Sequence, residues 1–175
     1  MVNAAALQIV NHDKHHTPIA QVLGRIPSGI FVLTVGDDAG RETGMLASWV
    51  QQASFDPPQI TIAIKRERYV NQWLPRRPFV ILNLLGDSDK NLLGHFGRGF
   101  KEDEPAFQGI ELARGPVTGL PCLTEALGYI ECRAISHLDA GDHVIHLLEI
   151  LGAGLGESLH EESPMVHVRK SGLTY

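Results

Sequence analysis

Cysteine is nearly absent from this 175-residue sequence: Cys122 and Cys132 are the only two, and they form no CxxC arrangement. A disulfide scaffold or a structural zinc site needs more thiols at closer spacing, so neither is expected. An excess of positive charge is missing too. Fifteen Lys and Arg stand against 20 Asp and Glu, for a net charge of −5. That argues against a nucleic-acid binder that works by neutralising phosphates. No apolar run nears the roughly 20 residues of a membrane span. Met1 to Asn11 has neither a basic n-region nor a small-residue cleavage site, and the expectation is a soluble, cytoplasmic protein. There is no Walker A loop, no GxSxG elbow and no HExxH. Gly152-Ala153-Gly154-Leu155-Gly156 lacks the GxGxxG order that opens a helix in a βαβ unit, so it is read as a hairpin loop.

What the sequence does hold is apolar residues, at 43%, with 18 glycines and ten prolines, too many for a helical bundle. The length suits one domain with a sizeable core. Residues 1–17 show no periodic apolar face and read as a poorly ordered N-terminal arm; His12, His15 and His16 on it read as a solvated polar tail, so no metal site is assigned. Residues 18–175 read as the domain, beginning with a short helix at Ile19–Leu23.

Gly29–Val35 is an apolar, β-branched run too short for a typical helix and is read as a strand. Gly36 to Gly40 has turn composition, and Thr43–Ser54 follows as one further strand. Asp56-Pro57-Pro58 delimits a strand at Gln59–Ile64. A short helix is expected at Val70–Leu74, a buried strand at Phe79–Leu85, and a helix at Ser88–Phe96 capped by Asp87 or Ser88. Residues 97–121, rich in charge, glycine and proline, read as a long loop. Its acidic stretch, Glu102-Asp103-Glu104, reads as a solvated turn or as a dock for a basic partner. Strands at Leu127–Leu138 and His143–Leu151, joined at Asp139 to Asp142, and a last strand at Met165–Arg169 complete the pattern. It is that of an all-β barrel or sandwich with minor helices. Because side chains alternate along a strand, His143 and His146 point to opposite faces and do not form a pair.

Four segments in order carry a resemblance over residues 20–175: Ile26 to Thr34 (IPSGIFVLT), Gly44 to Pro58 (GMLASWVQQASFDPP), Phe79 to Leu84 (FVILNL) and Gly141-Asp142-His143. This set resembles the flavin reductase-like family, which binds FMN on a split β-barrel. Met45 to Pro58 and the stretch from Val166 to Tyr175 are similar to the flavin reductase module of cyanobacterial flavodiiron proteins. The resemblance implies that Gly44, Met45, Leu46, Ala47, Ser48 and Trp49 line the flavin ring and ribityl chain. Ser54 then lies near the phosphate end, and Arg66 and Arg68 contact the phosphate, with Lys65 as substitute. The other reading of these arginines is a solvated loop. Asn83, inside an apolar strand, reads either as a flavin contact or as a barrel-internal hydrogen bond. Trp49 departs from the small polar residue of many family members, and reads as a ring stacked near the flavin or as part of a dimer core. His143 is implied as the contact to the nicotinamide nucleotide.

The implied function is an NAD(P)H-dependent flavin reductase, with hydride passing from NADH or NADPH to FMN, or to FAD. The cofactors carry that chemistry, and no side-chain nucleophile is required. The alternative is an FMN-containing electron-transfer protein reduced by a redox partner. The family implies a homodimer, and Trp49 and Trp73 fit an apolar interface.

Overall fold

The computed structural model describes residues 17–173; residues 1–16 of the N-terminal arm, including His12, His15 and His16, lie outside the described residues. The elements in order are α1 (Pro18–Gly24), β1 (Ser28–Gly29), β2 (Phe31–Gly36), β3 (Glu42–Ala47), β4 (Val50–Phe55), β5 (Pro58–Lys65), α2 (Val70–Trp73), β6 (Phe79–Leu84), α3 (Lys90–Gly97), β7 (Leu112–Arg114), β8 (Pro121–Leu123), β9 (Gly128–Ala140), β10 (His143–Leu155) and β11 (Val166–His167). The described residues fall into two compact units, 29–166 and the two ends, 17–28 with 167–173.

In the end unit, Thr17 caps α1 by accepting the Ala20 N–H at 3.2 Å, and Pro18 starts the helix where its missing N–H costs nothing. The Gly172 N–H donates to the Ala20 carbonyl at 2.6 Å, and the Arg169 N–H to that of Gly24 at 2.9 Å. A Cβ on Gly24 would stand 2.8 Å from the Arg169 carbonyl oxygen, so only glycine allows this approach. The strand expected over Met165–Arg169 is limited to Val166–His167.

The larger unit is built on a seven-stranded antiparallel sheet in the order β3-β2-β6-β9-β10-β5-β4. Its two edge strands, β3 and β4, are consecutive in the chain and separated only by Ser48 and Trp49. The sheet therefore curls until its edges meet at that corner, giving the expected all-β split barrel. The single strand read over Thr43–Ser54 is thus two strands. Alternation fills both faces of the sheet. Leu33, Val35, Ile60, Ile62 and Ile64 pack into one cluster with Trp73 and Leu148. Val32 points the other way, into a second cluster with Leu92, Phe96 and Phe100 beneath α3. Each such side chain contributes about 1.5–3 kcal/mol on burial.

Several expectations are corrected. Trp73 is only 5% exposed, within the first cluster of its own chain, and so is not an interface residue. The N-cap of α3 is Asp89, not Asp87 or Ser88. The Asp89 carboxylate turns back to accept the Gly86 N–H at 2.7 Å. The supposed long loop contains the β7–β8 pair. Its turn is organised from afar by Glu131, fully buried, whose carboxylate accepts the Thr118 N–H and hydroxyl at 2.7 Å and the Val117 N–H at 3.2 Å. Gly152 and Gly154 lie inside β10, not in a hairpin loop. A Cβ on Gly154 would stand 2.3 Å from the Tyr129 ring, which explains the glycine there. Cys122 and Cys132 are free and buried, and burial pushes the Cys132 thiol up to about 12. Among the described residues no helix is long and apolar enough to cross a membrane.

Candidate functional site

The meeting of the sheet edges places chemistry-bearing residues at one corner. Antiparallel pairing sets His143, the first residue of β10, opposite Lys65, the last of β5. Val50 of β4 pairs with Ile62, and the Ala63 N–H donates to the Trp49 carbonyl at 3.0 Å, which brings Trp49 to the same end. The indole and the imidazole meet there with ring centroids 4.6 Å apart and planes inclined by 40°.

The turn before His143 needs Gly141, whose φ of 65° is left-handed. Asp142 is exposed and its carboxylate lies 2.8 Å from His143 Nδ1. That hydrogen bond holds the Asp142 carboxyl below the usual carboxylate range. An ionised carboxylate can only accept, so Nδ1 carries the proton of this hydrogen bond. His143 itself is 5% exposed.

Arg66 braces this turn. Its N–H donates to the Asp142 carbonyl at 2.8 Å, and Nε and Nη2 both donate to the Gly141 carbonyl at 3.2 Å. Nη1 pairs with Asp139 at 3.0 Å. Sequence reasoning offered a phosphate ligand or a solvated loop for Arg66; its guanidinium is occupied by the β9–β10 turn. Arg68 is exposed and lies over Gly99, where an added Cβ would stand 3.2 Å from Nη1. Lys65 Nζ pairs with Glu67 at 2.7 Å.

The Gly44–Ala47 segment behaves differently from its sequence reading. Gly44 is small for packing: a Cβ would meet Phe96 at 2.5 Å and Phe107 at 3.1 Å. Ala47 is buried in the first core cluster with Met45 packed against it, while Leu46 packs against the second. As an edge strand, β3 has no strand partner on its outer side among the described residues, and it presents a row of N–H and C=O groups there. Ser48 and Trp49, both half-buried, continue that edge into the corner.

Two residues are not brought to the corner. Ser54 sits five residues beyond Trp49, roughly 16 Å away at about 3.3 Å per strand residue, beside a bulge between Gln52 and Ser54. Asn83 is fully buried, donating to the Val32 carbonyl at 2.9 Å and accepting the Leu123 N–H at 2.8 Å. It has the barrel-internal role, the second of its two sequence readings. Of the acidic stretch, Glu102 pairs with Arg41 at 2.9 Å and accepts from Trp73 Nε1 at 3.3 Å, and Glu104 accepts the Lys101 N–H at 3.0 Å.

Sequence reasoning missed the polar residues behind the corner. Asn71, on α2, and His146, on β10, are joined at 2.9 Å. No local signal marks them, because 75 positions separate them in the chain. The corner as a whole combines the Trp49–His143 ring pair, the end of an edge strand and nearby cations. That donor set suits a flat heteroaromatic ring with polar edges and an anionic tail.

Residues 23–172 match the model of the flavin reductase like domain. Diflavin flavoprotein A 1 of Synechocystis sp. is 32% identical over 159 residues, which is 90% of this chain and 27% of that protein. The chain thus spans about a quarter of the length of the curated relatives it matches. Among solved structures, the NADH:FAD oxidoreductase SgcE6 of Streptomyces globisporus C-1027 is 25% identical. It superposes with a TM-score of 0.76, covering 87% of this chain and 86% of its own. BorF, the flavin reductase component of a bacterial two-component tryptophan halogenase, is likewise 25% identical, with a TM-score of 0.73 over 84% of this chain and 89% of its own.

Proposed function

The chain belongs to the flavin reductase-like family, and from that premise we propose that it is an oxidoreductase that uses NADH or NADPH to reduce a flavin, FMN by its motif resemblance. The observation that carries this reading is the Trp49–His143 ring pair standing at the end of the edge strand β3. Bound flavin supplies the hydride-accepting centre. The chain's own residues position and shield. The backbone of Gly44 to Ala47 and the Ser48 hydroxyl meet the polar edge and ribityl chain, and Trp49 covers one side of the ring. Arg68, with Lys65 beside it, offers positive charge to the phosphate. The His143 ring contacts the nicotinamide carboxamide and orients it; the imidazole moves no proton. Ser54 and Asn83 take no part. The full complex is a homodimer, with the edge strand β4 and Phe55, 89% exposed, in the interface.

A second reading has its own support, the similarity to a segment of a much longer diflavin flavoprotein. In that reading the flavin is reduced by a redox partner and nicotinamide plays no part. The absorption spectrum of the purified protein, followed without oxygen as NADH and then NADPH are added, separates the two. Flavin bands that bleach within the mixing experiment establish the reductase. Bands that persist with both nucleotides favour the partner-fed carrier, and a colourless protein that takes up no added FMN overturns both.

A further inference from the structure

Behind the corner lies a polar network that the proposed reaction does not itself use. Asn71 Nδ2 donates to the Lys65 carbonyl at 2.9 Å and to the Arg66 carbonyl at 3.3 Å. Those two bonds fix the orientation of the amide, so Asn71 Oδ1 can only accept. His146 Nε2, 2.9 Å from Oδ1, must then carry the proton. The imidazole is 6% exposed, lies 6.1 Å from the ring of His137 on β9, and is anchored on β10. The network therefore runs from the rigid β9–β10 pair through one amide to the carbonyls of the turn that carries Lys65, Arg66 and Arg68. That turn also receives the Asn71 N–H, through the Arg68 carbonyl at 3.1 Å.

We propose that Asn71, held by the Nε2–H tautomer of His146, is the positioning residue of the basic turn: it sets where Arg68 meets the flavin phosphate and where Arg66 braces the loop under His143. This inference rests on the flavin-binding reading of the corner. The argument is one of chemistry. The Lys65 carbonyl already accepts the Arg68 N–H at 2.9 Å; what Asn71 adds is a link, because its one short amide reaches both carbonyls of the turn while leaving an oxygen for a buried imidazole.

The test is a set of full-chain variants read in two ways, by FMN titration and by the rate of trypsin cleavage after Arg66 and Arg68. Asn71→Leu and His146→Leu are each expected to weaken FMN binding about tenfold and to speed cleavage at the turn by a similar factor. A tenfold change corresponds to about 1.4 kcal/mol. His146→Gln, whose amide places a donor near Nε2, is expected to behave as the unaltered protein in both. The double Leu variant is expected to be no worse than either single, since both cut one chain of bonds. Wild-type cleavage rates in Asn71→Leu, or a His146→Gln variant as impaired as His146→Leu, would overturn the proposal. Faster cleavage with unchanged FMN affinity, or with no FMN binding even in the unaltered protein, supports the positioning of the turn and instead removes its assignment to the flavin site.

Discussion

His143 and His146 stand three residues apart on β10, and both are more than nine-tenths buried. The pleat turns them to opposite faces, and there the likeness ends. His143 opens the strand, takes the exposed Asp142 carboxylate on Nδ1 and lies against Trp49 at the corner. His146 lies further along the strand, beside His137, with its Nε2 proton committed to Asn71. One lies at a turn against an indole; the other is tied to the helix that follows β5. Their burial is nearly the same, and their partners differ.

The sharpest way to break this contrast is His143→Ala. It is expected to raise the KM for NADH or NADPH by one to two orders of magnitude, the range for losing about 1.5–3 kcal/mol of a hydrogen bond to a charged or strongly polar group. FMN affinity is expected to change by less than about twofold, a small fraction of one hydrogen bond. Steady-state kinetics beside an FMN titration read both, and unchanged kinetics would remove His143 from the nicotinamide site.

A smaller effect sharpens it from the side of His146. Burial, and then the nearby His137, depress its pKa from 6.5 to about 4. Between those values the unfolded chain binds more protons at this site than the folded one. Its contribution to stability is therefore complete above about pH 6.5 and is lost as the pH falls toward 4, at no more than about 1.4 kcal/mol per pH unit. Denaturant melts at pH 7, 6 and 5 are expected to show this slope in the unaltered protein and in His143→Ala, and to show it flattened in His146→Gln.

Smallest is Arg66→Ala. The Arg66–Asp139 pair is solvent-exposed, so its loss is expected to cost no more than about 1 kcal/mol of stability. The Gly141–Asp142 turn loses its brace at the same time, and the predicted signature is a moderate rise in nucleotide KM that is weaker than that of His143→Ala.

The same contrast explains what could be read from the residues. β2, β5 and β6 follow from β-branched apolar runs because local pattern and burial agree there. The break between β3 and β4 did not, since Ser48 and Trp49 carry no glycine or proline to mark a turn; only the closing sheet bends the chain at that point. The β7–β8 pair depends on Glu131, more than a dozen residues away, and the glycines of β10 depend on the Tyr129 ring. The Gly141-Asp142-His143 turn was legible because it is local, whereas the role given to His143 came from the family resemblance. Asn71, His146 and the bracing role of Arg66 were not, because each is defined by a partner that only the tertiary fold supplies.

The seam between β3 and β4 has a further consequence for how the chain acquires its site. β2–β3 and β4–β5 are hairpins between near neighbours in sequence. Yet across the sheet, one reaches the other only through β6, β9 and β10, and the β5–β10 pairing runs from Lys65–His143, 78 positions apart, to Gln59–Glu149, 90 apart. Closing such distant contacts is the slow part of forming a barrel. The two hairpins are joined in the chain at Ser48 and Trp49, but the corner is complete only once His143 of β10 reaches Trp49. A ligand that needs both sides of the seam binds only finished chains, and by mass action its capture draws the last strands home.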